Sequence, residues 1–127
     1  MIATNRDQVK FLLNLGIDPN TADCYMLWMS NHSNPLVATS IIPEGLSYNQ
    51  IKDNYSCSIA PCWSRFAIQK LLPSCLKVSE EIYNLQIDNR DIKYVTSNGN
   101  VLICIKDNGD MESILTALSI ILVHGYS

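Results

Sequence analysis

The stretch "IYNLQIDNRDIKYVTSNGNVLICIK", Ile82 to Lys106, decides how the C-terminal half of the chain folds. Asn98-Gly99 is a strong two-residue hairpin signal, because both residues tolerate the positive φ that a tight turn between twisted strands requires. It sets Thr96 opposite Val101, Tyr94 opposite Ile103 and Ile92 opposite Ile105. With Asn89-Arg90 turning the preceding hairpin, Ile87 faces Ile92, Leu85 faces Tyr94 and Tyr83 faces Thr96. The two registers agree. They gather Tyr83, Leu85, Ile87, Ile92, Tyr94, Val101, Ile103 and Ile105 on one face of a three-stranded meander, with Asn84, Gln86 and Lys93 on the other. A slip of one residue in either hairpin would destroy that segregation, so the pattern specifies the pairing.

The apolar face needs a cover, and the chain supplies one directly. Asp110 caps a helix from Met111 to about Val123, with Glu112 favourably placed in its first turn. Ile114, Leu115, Leu118, Ile121 and Leu122 make it apolar over more than half its circumference, and Gly125 lets the chain leave it. A helix of that character is expected to lie buried across the meander.

Upstream, Thr4 and Asp7 have the spacing of a capping box, and Val9, Leu12 and Leu13 share one face of a helix over about Asn5 to Leu15. Gly16 is suited to the left-handed residue that closes it. Asp18 followed by Pro19 then predicts a second helix, with Ala22, Tyr25, Met26 and Met29 as its inward stripe. Together these two predict a helical hairpin. The polar run Ser30 to Pro35 ends it. Val37 to Ile42 reads as a short strand, and Leu36 to Ile59 otherwise holds a helical turn or a loop, the natural place for a specific binding surface. A middle helix is predicted over Ala60 to Leu72, with Ser58 as cap, Pro61 in its first turn, Trp63, Phe66, Ala67 and Leu71 on one face, and Pro73 as its end. The expected fold is a single α+β domain over residues 1–127. In it the N-terminal helical hairpin and the middle helix pack with the three-stranded meander beneath the C-terminal helix.

Composition narrows the function. With 127 residues, 47% of them hydrophobic and 17% charged, the chain buries a real core and needs no metal, cofactor or disulfide to fold. Nine basic against twelve acidic residues leave a net charge of −3 and no basic run, which argues against a dedicated nucleic-acid binder. The most apolar run, Ile114 to Val123, is half the ~20 residues a bilayer requires. Arg6, Asp7 and Lys10 interrupt any apolar core of an export signal, so no membrane association and a cytoplasmic location are expected. Short sheet edges invite pairing with a second copy, so a homodimer is a further expectation.

The segments "LGIDPNTADCYMLW", Leu15 to Trp28, and "PCWSRFAIQKLLP", Pro61 to Pro73, followed by a short β region and an apolar terminal helix, resemble a group of small uncharacterised proteins. That group is encoded in gut Bacteroidales genomes and their prophages or mobile elements. Pro61, Trp63, Ser64, Ala67, Leu71, Leu72 and Pro73 match its middle helix, whereas Cys62 and Arg65 stand where the group has Ala and Leu. The resemblance spans roughly the first quarter, the middle helix and the tail. It implies a phage or mobile-element origin and carries no activity.

Several residues are candidates for chemistry. Cys62, placed in the first turn of a helix, would have its thiol acidified by the helix dipole, but a cysteine hydrolase also needs a base, and the histidines are His32 in a loop and His124 at the end of the last helix. Packing beside Trp63 is the preferred reading. Cys57, Cys62 and Cys75 with a histidine have zinc-ligand chemistry but unusual spacing, and five scattered cysteines suggest reduced thiols rather than a disulfide framework. Asp88 and Asp91 face each other across the first hairpin turn, with Asp107 and Asp110 at the far end of the third strand. Carboxylate pairs do acid and base work, yet Asp more commonly forms turns. Trp28, Tyr48 and Tyr55 are the candidate interaction residues. The favoured function is a non-enzymatic module that binds an unidentified host or phage protein. Its rival is a small hydrolase or thiol enzyme using Cys62 or the Asp88/Asp91 pair.

Overall fold

A computed structural model describes residues 3–28, 38–54 and 58–124. The chain is α+β and divides into two compact units, Met1–Ala67 and Ile68–Ser127.

In the first unit, α1 spans Arg6–Asn14. Its cap is Asn5 rather than Thr4: the Asn5 side chain accepts from the Gln8 N–H at 2.9 Å, and the Gln8 side chain accepts from the Asn5 N–H at 2.9 Å. Gly16 closes the helix at φ 86°, with its N–H on the Leu13 carbonyl and the Ile17 N–H on that of Leu12, the paired bonds of a Schellman motif.

The expected second helix is corrected. Asp18 caps and Pro19 opens as expected, but the turn is a 3-10 segment, Pro19–Thr21, after which Ala22 is extended. Strand β1, Cys24–Trp28, follows. The apolar run that resembles a helical stripe belongs to a strand covered on both faces, and such strands lose their alternation. Ala22, Cys24 and Met26 are buried, while Tyr25, like Ile59, packs against the cluster of Ile42, Tyr48 and Ile51. Among the described residues no helical hairpin forms.

β1 is the central strand of a three-stranded sheet between β2, Ala38–Ile41, and β3, Ser58–Cys62. Both pairings are antiparallel, and Cys24 faces Ile41 on one side and Cys62 on the other. The short strand near Val37 to Ile42 is therefore present. Of the helical turn or loop left open after it, the structure has the turn: α2, Tyr48–Lys52, which opens with a capping box between Ser47 and Gln50.

The middle helix is also corrected. Ser58 and Pro61 lie in β3, and helix α3 is confined to Arg65–Leu71. Pro61 is tolerated because β3 is an edge strand. Ser64 does the capping, its hydroxyl accepting from the Ala67 N–H at 3.2 Å. Phe66, expected to face inward, is 63% exposed.

The second unit holds a four-stranded antiparallel sheet in sequential order: β4 (Cys75–Val78), β5 (Glu81–Ile87), β6 (Asp91–Val95) and β7 (Val101–Lys106). The expected pairings Leu85–Tyr94, Ile87–Ile92, Tyr94–Ile103 and Ile92–Ile105 are all present. The meander gains a strand, β4, that the sequence reading misses, and one end is displaced. Val95, not Thr96, faces Val101, because Gly99 is the fourth residue of a turn rather than the second of a two-residue loop. Its N–H bonds the Thr96 carbonyl at 3.0 Å and φ is 90°, the arrangement of a type I turn with a glycine bulge. Val101 is consequently exposed.

Helix α4, Met111–His124, packs on β7 and buries Ile114, Leu115, Ala117, Leu118 and Ile121. Asp110 caps it, accepting from the Ser113 N–H at 3.0 Å. Tyr94 is wholly buried, and its hydroxyl donates to the Pro73 carbonyl at 2.8 Å. Burial, with the nearby Cys75 as a lesser cause, pushes its phenol up to about 12.

Two predictions follow from these geometries. Unfolded tyrosine ionises near 10 and folded Tyr94 near 12, so the stability it contributes is complete below pH 10 and is lost as pH rises through that window. Alkaline denaturation read by circular dichroism will show this slope, and Tyr94→Phe will remove it while costing about 1–2 kcal/mol at neutral pH. Separately, Ser79 turns the β4–β5 hairpin at φ 57°, a conformation unfavourable to a side chain. Ser79→Gly is expected to raise stability by about 0.5–1 kcal/mol in chemical denaturation.

Candidate functional site

A polar cluster in the first unit surrounds the end of β3, and it contains Cys62. Because Cys62 ends a strand and does not open a helix, the dipole effect expected for it is absent. Its environment comes from long-range pairing instead. Across the sheet stands Cys24, whose thiol donates to the Cys62 carbonyl at 2.9 Å. From the segment before α1, Thr4 offers its hydroxyl to the Cys62 sulfur at 3.6 Å, and that thiol donates to the Thr4 carbonyl at 3.4 Å. Both cysteines are fully buried.

The neighbours are held as firmly. The Thr4 N–H donates to the Trp63 carbonyl at 2.9 Å, and the Trp63 N–H donates to the Thr4 hydroxyl at 3.0 Å. The Trp63 ring is buried, and its indole N–H finds the Thr21 hydroxyl at 3.0 Å. Asp23, just before β1, accepts from the Ser64 N–H at 2.8 Å and from the Ser64 hydroxyl. Among the described residues no buried side-chain nitrogen or oxygen lacks a partner.

The two thiols titrate as a pair. Cys24 lies far above the ordinary thiol value, chiefly through its hydrogen bond with the Cys62 side chain, then through burial and the negative charge of Asp23. Cys62 is drawn below that value by the same hydrogen bond, helped by Thr4, while burial opposes the shift. Of the two, Cys62 is therefore the first to ionise. Asp23 accepts two bonds from Ser64, and the Cys24 thiol also lies 3.6 Å from one of its oxygens. A hydrolytic nucleophile needs both a base and a path for substrate, and a sulfur with no solvent exposure has no such path in this conformation.

The remaining candidates fall elsewhere. His32, Cys57 and Tyr55 lie outside the described residues, and so does the side chain of Trp28, whose backbone ends β1. His124 ends α4 in the second unit, and Cys75 begins β4. Among the described residues no group of three or more metal-binding side chains comes together. Asp88 serves its turn: one carboxylate oxygen accepts from the N–H groups of Arg90 and Asp91 at 2.8 and 2.7 Å, and these two bonds hold its pKa below the usual value. Its other oxygen stands 3.9 Å from the Lys93 ammonium. Asp107 accepts from the Gly109 N–H at 2.8 Å, and Asp110 caps α4. Tyr48 is buried on α2, where its hydroxyl meets the Ile59 carbonyl at 3.3 Å and burial raises its pKa.

Sequence reading singles out Cys62 but misses Cys24, Thr4, Asp23 and Ser64. The available signal is the alternation Ala22, Cys24, Met26, which read as a strand places Cys24 on a covered face. Compared with known proteins, the chain matches no family model, no curated protein and no solved structure.

Alkylation provides a direct check on this geometry. In native protein treated with iodoacetamide, Cys75 and Cys104, both exposed, will react readily. Cys24 and Cys62 will react at least ~100-fold more slowly, as expected when reaction awaits an opening costing about 3 kcal/mol or more.

Proposed function

We propose that the protein is a non-enzymatic, cytoplasmic interaction module of phage or mobile-element type. It engages a host or phage protein through the outer edge of β2 and the turn that follows it. The observation that carries this reading is Ile41, the last residue of an edge strand, which is 66% exposed. Leu46 adds a second apolar side chain, 47% exposed, at the end of a turn closed by its own N–H on the Pro43 carbonyl. Single exposed apolar residues are ordinary, but two beside a strand edge fit a partner that adds a strand and seats side chains next to it.

The opposite flank is less receptive. On β3, Pro61 has no N–H to offer, and Ala3 already bridges Ser64 just beyond the strand. The groups suited to catalysis support the same reading, since Cys62 is enclosed and Asp88 is engaged in its turn. Among the described residues no helix is long and apolar enough to cross a membrane. The expected homodimer becomes one version of the same proposal, with β2 of a second copy as the added strand.

The test is a comparison of variants. Ile41→Asp changes an exposed side chain and should alter stability by no more than about 0.5 kcal/mol, whereas a docking residue lost from an interface weakens binding at least about tenfold. Proteins captured from a host lysate by the wild type, or dimers seen in sedimentation, are expected to be lost with Ile41→Asp and kept with Val101→Asp in the second unit. Equal retention by all three chains would exclude this surface.

A further inference from the structure

We infer that Cys24 and Cys62 form a redox-modifiable pair, a dithiol that closes to a cross-strand disulfide and thereby changes the hold on Thr4. The inference is independent of the partner surface at β2. The two cysteines are direct partners in the β1–β3 register, so their side chains emerge on the same face. Antiparallel partners have Cα atoms about 4.5–5.5 Å apart, inside the roughly 4.4–6.8 Å range that disulfides span. The Cys24 sulfur already lies across the strand pair, 2.9 Å from the Cys62 carbonyl oxygen. Both thiols are free. Cys75 and Cys104, by contrast, sit on β4 and β7, the two opposite edges of the other sheet.

The oxidant is a low-molecular-weight disulfide. The Cys62 thiolate attacks one of its sulfurs, the reagent's S–S bond breaks, and one thiol leaves. Cys24 then attacks the mixed disulfide, the Cys24–Cys62 bond forms, and the second thiol is expelled. Two electrons pass from the cysteines to the reagent, and the two thiol protons leave on the released thiols. Cys62 takes the attacking role because its neighbour's S–H favours the thiolate there. Access requires the short segment before α1 to lift, since Thr4 is hydrogen-bonded to the Cys62 sulfur through both its hydroxyl and its carbonyl.

Closure has a structural output. Cys62 loses the S–H that it donates to the Thr4 carbonyl, while Thr4 keeps its two bonds to Trp63. Oxidation therefore ties β1 to β3 and loosens the anchor in front of α1.

The experiment uses the full chain with Cys57, Cys75 and Cys104 changed to Ser, equilibrated with mixtures of oxidised and reduced glutathione. The expected product has lost two hydrogen masses and carries no glutathione. Its melting midpoint is higher by on the order of 10 °C, and reductant reverses the change. Amide exchange at Thr4 and Asn5 should become several-fold faster in the oxidised form. Adding Cys24→Ser should leave a glutathione adduct trapped on Cys62. If the triple variant fails to fold, wild type is treated identically and digested, and a linked peptide pair containing Cys24 and Cys62 is the expected result. Two thiols that stay reduced at every glutathione ratio, or a stable adduct on Cys62 with Cys24 intact, would overturn the inference.

Discussion

Asp23 holds Ser64 by two hydrogen bonds, one from the backbone N–H and one from the hydroxyl, and Ser64 in turn accepts from the Ala67 N–H. Bonds to an ionised carboxylate are among the stronger ones a protein makes, and a half-buried carboxylate without them would be costly. Because Asp23 immediately precedes β1 and Ser64 follows β3 by two residues, this contact sets the pairing in which Cys24 faces Cys62. A shift of one residue would separate the carboxylate from its donors and turn Cys24 and Met26 to the other side of the sheet. The start of α3 depends on the same contact, since the capping hydroxyl is oriented by Asp23.

Around that contact, small polar side chains of the first unit fasten its segments together. Thr4 secures the segment before α1 to Trp63 and Cys62, and Thr21 receives the indole N–H. Asn20, in the 3-10 turn, accepts from the Asn49 N–H at 3.2 Å and so joins that turn to the start of α2. With every buried side-chain nitrogen and oxygen among the described residues partnered, the network fixes where the enclosed thiol pair stands beside the carboxylate.

What the sequence discloses depends on whether local chemistry and tertiary role agree. The β5–β6–β7 registers are legible because strict alternation and an Asn-Gly turn act together, and α4 is legible because its cap and its apolar stripe coincide. β4 is hidden because its hairpin turns on Ser79 at positive φ, where no Gly or Asn marks the reversal. β1 is misread because Tyr25 and Met26 are covered on opposite faces, so adjacent apolar residues mimic a helix. Thr4 is misread as a cap because Asn5 has the same chemistry one residue later, which leaves the Thr4 hydroxyl for Cys62. The site shares this limitation. Cys62 is conspicuous alone, whereas Cys24, 38 residues away, joins it only through strand pairing that neither local sequence encodes.

Both tryptophans of the chain, Trp28 and Trp63, belong to the first unit, and the second holds tyrosines without an indole. With the Trp63 ring shut away from water and its N–H already donated to Thr21, the first unit carries an optical label that the second lacks. Indole emission therefore reports the melting of the first unit alone, without attaching any dye.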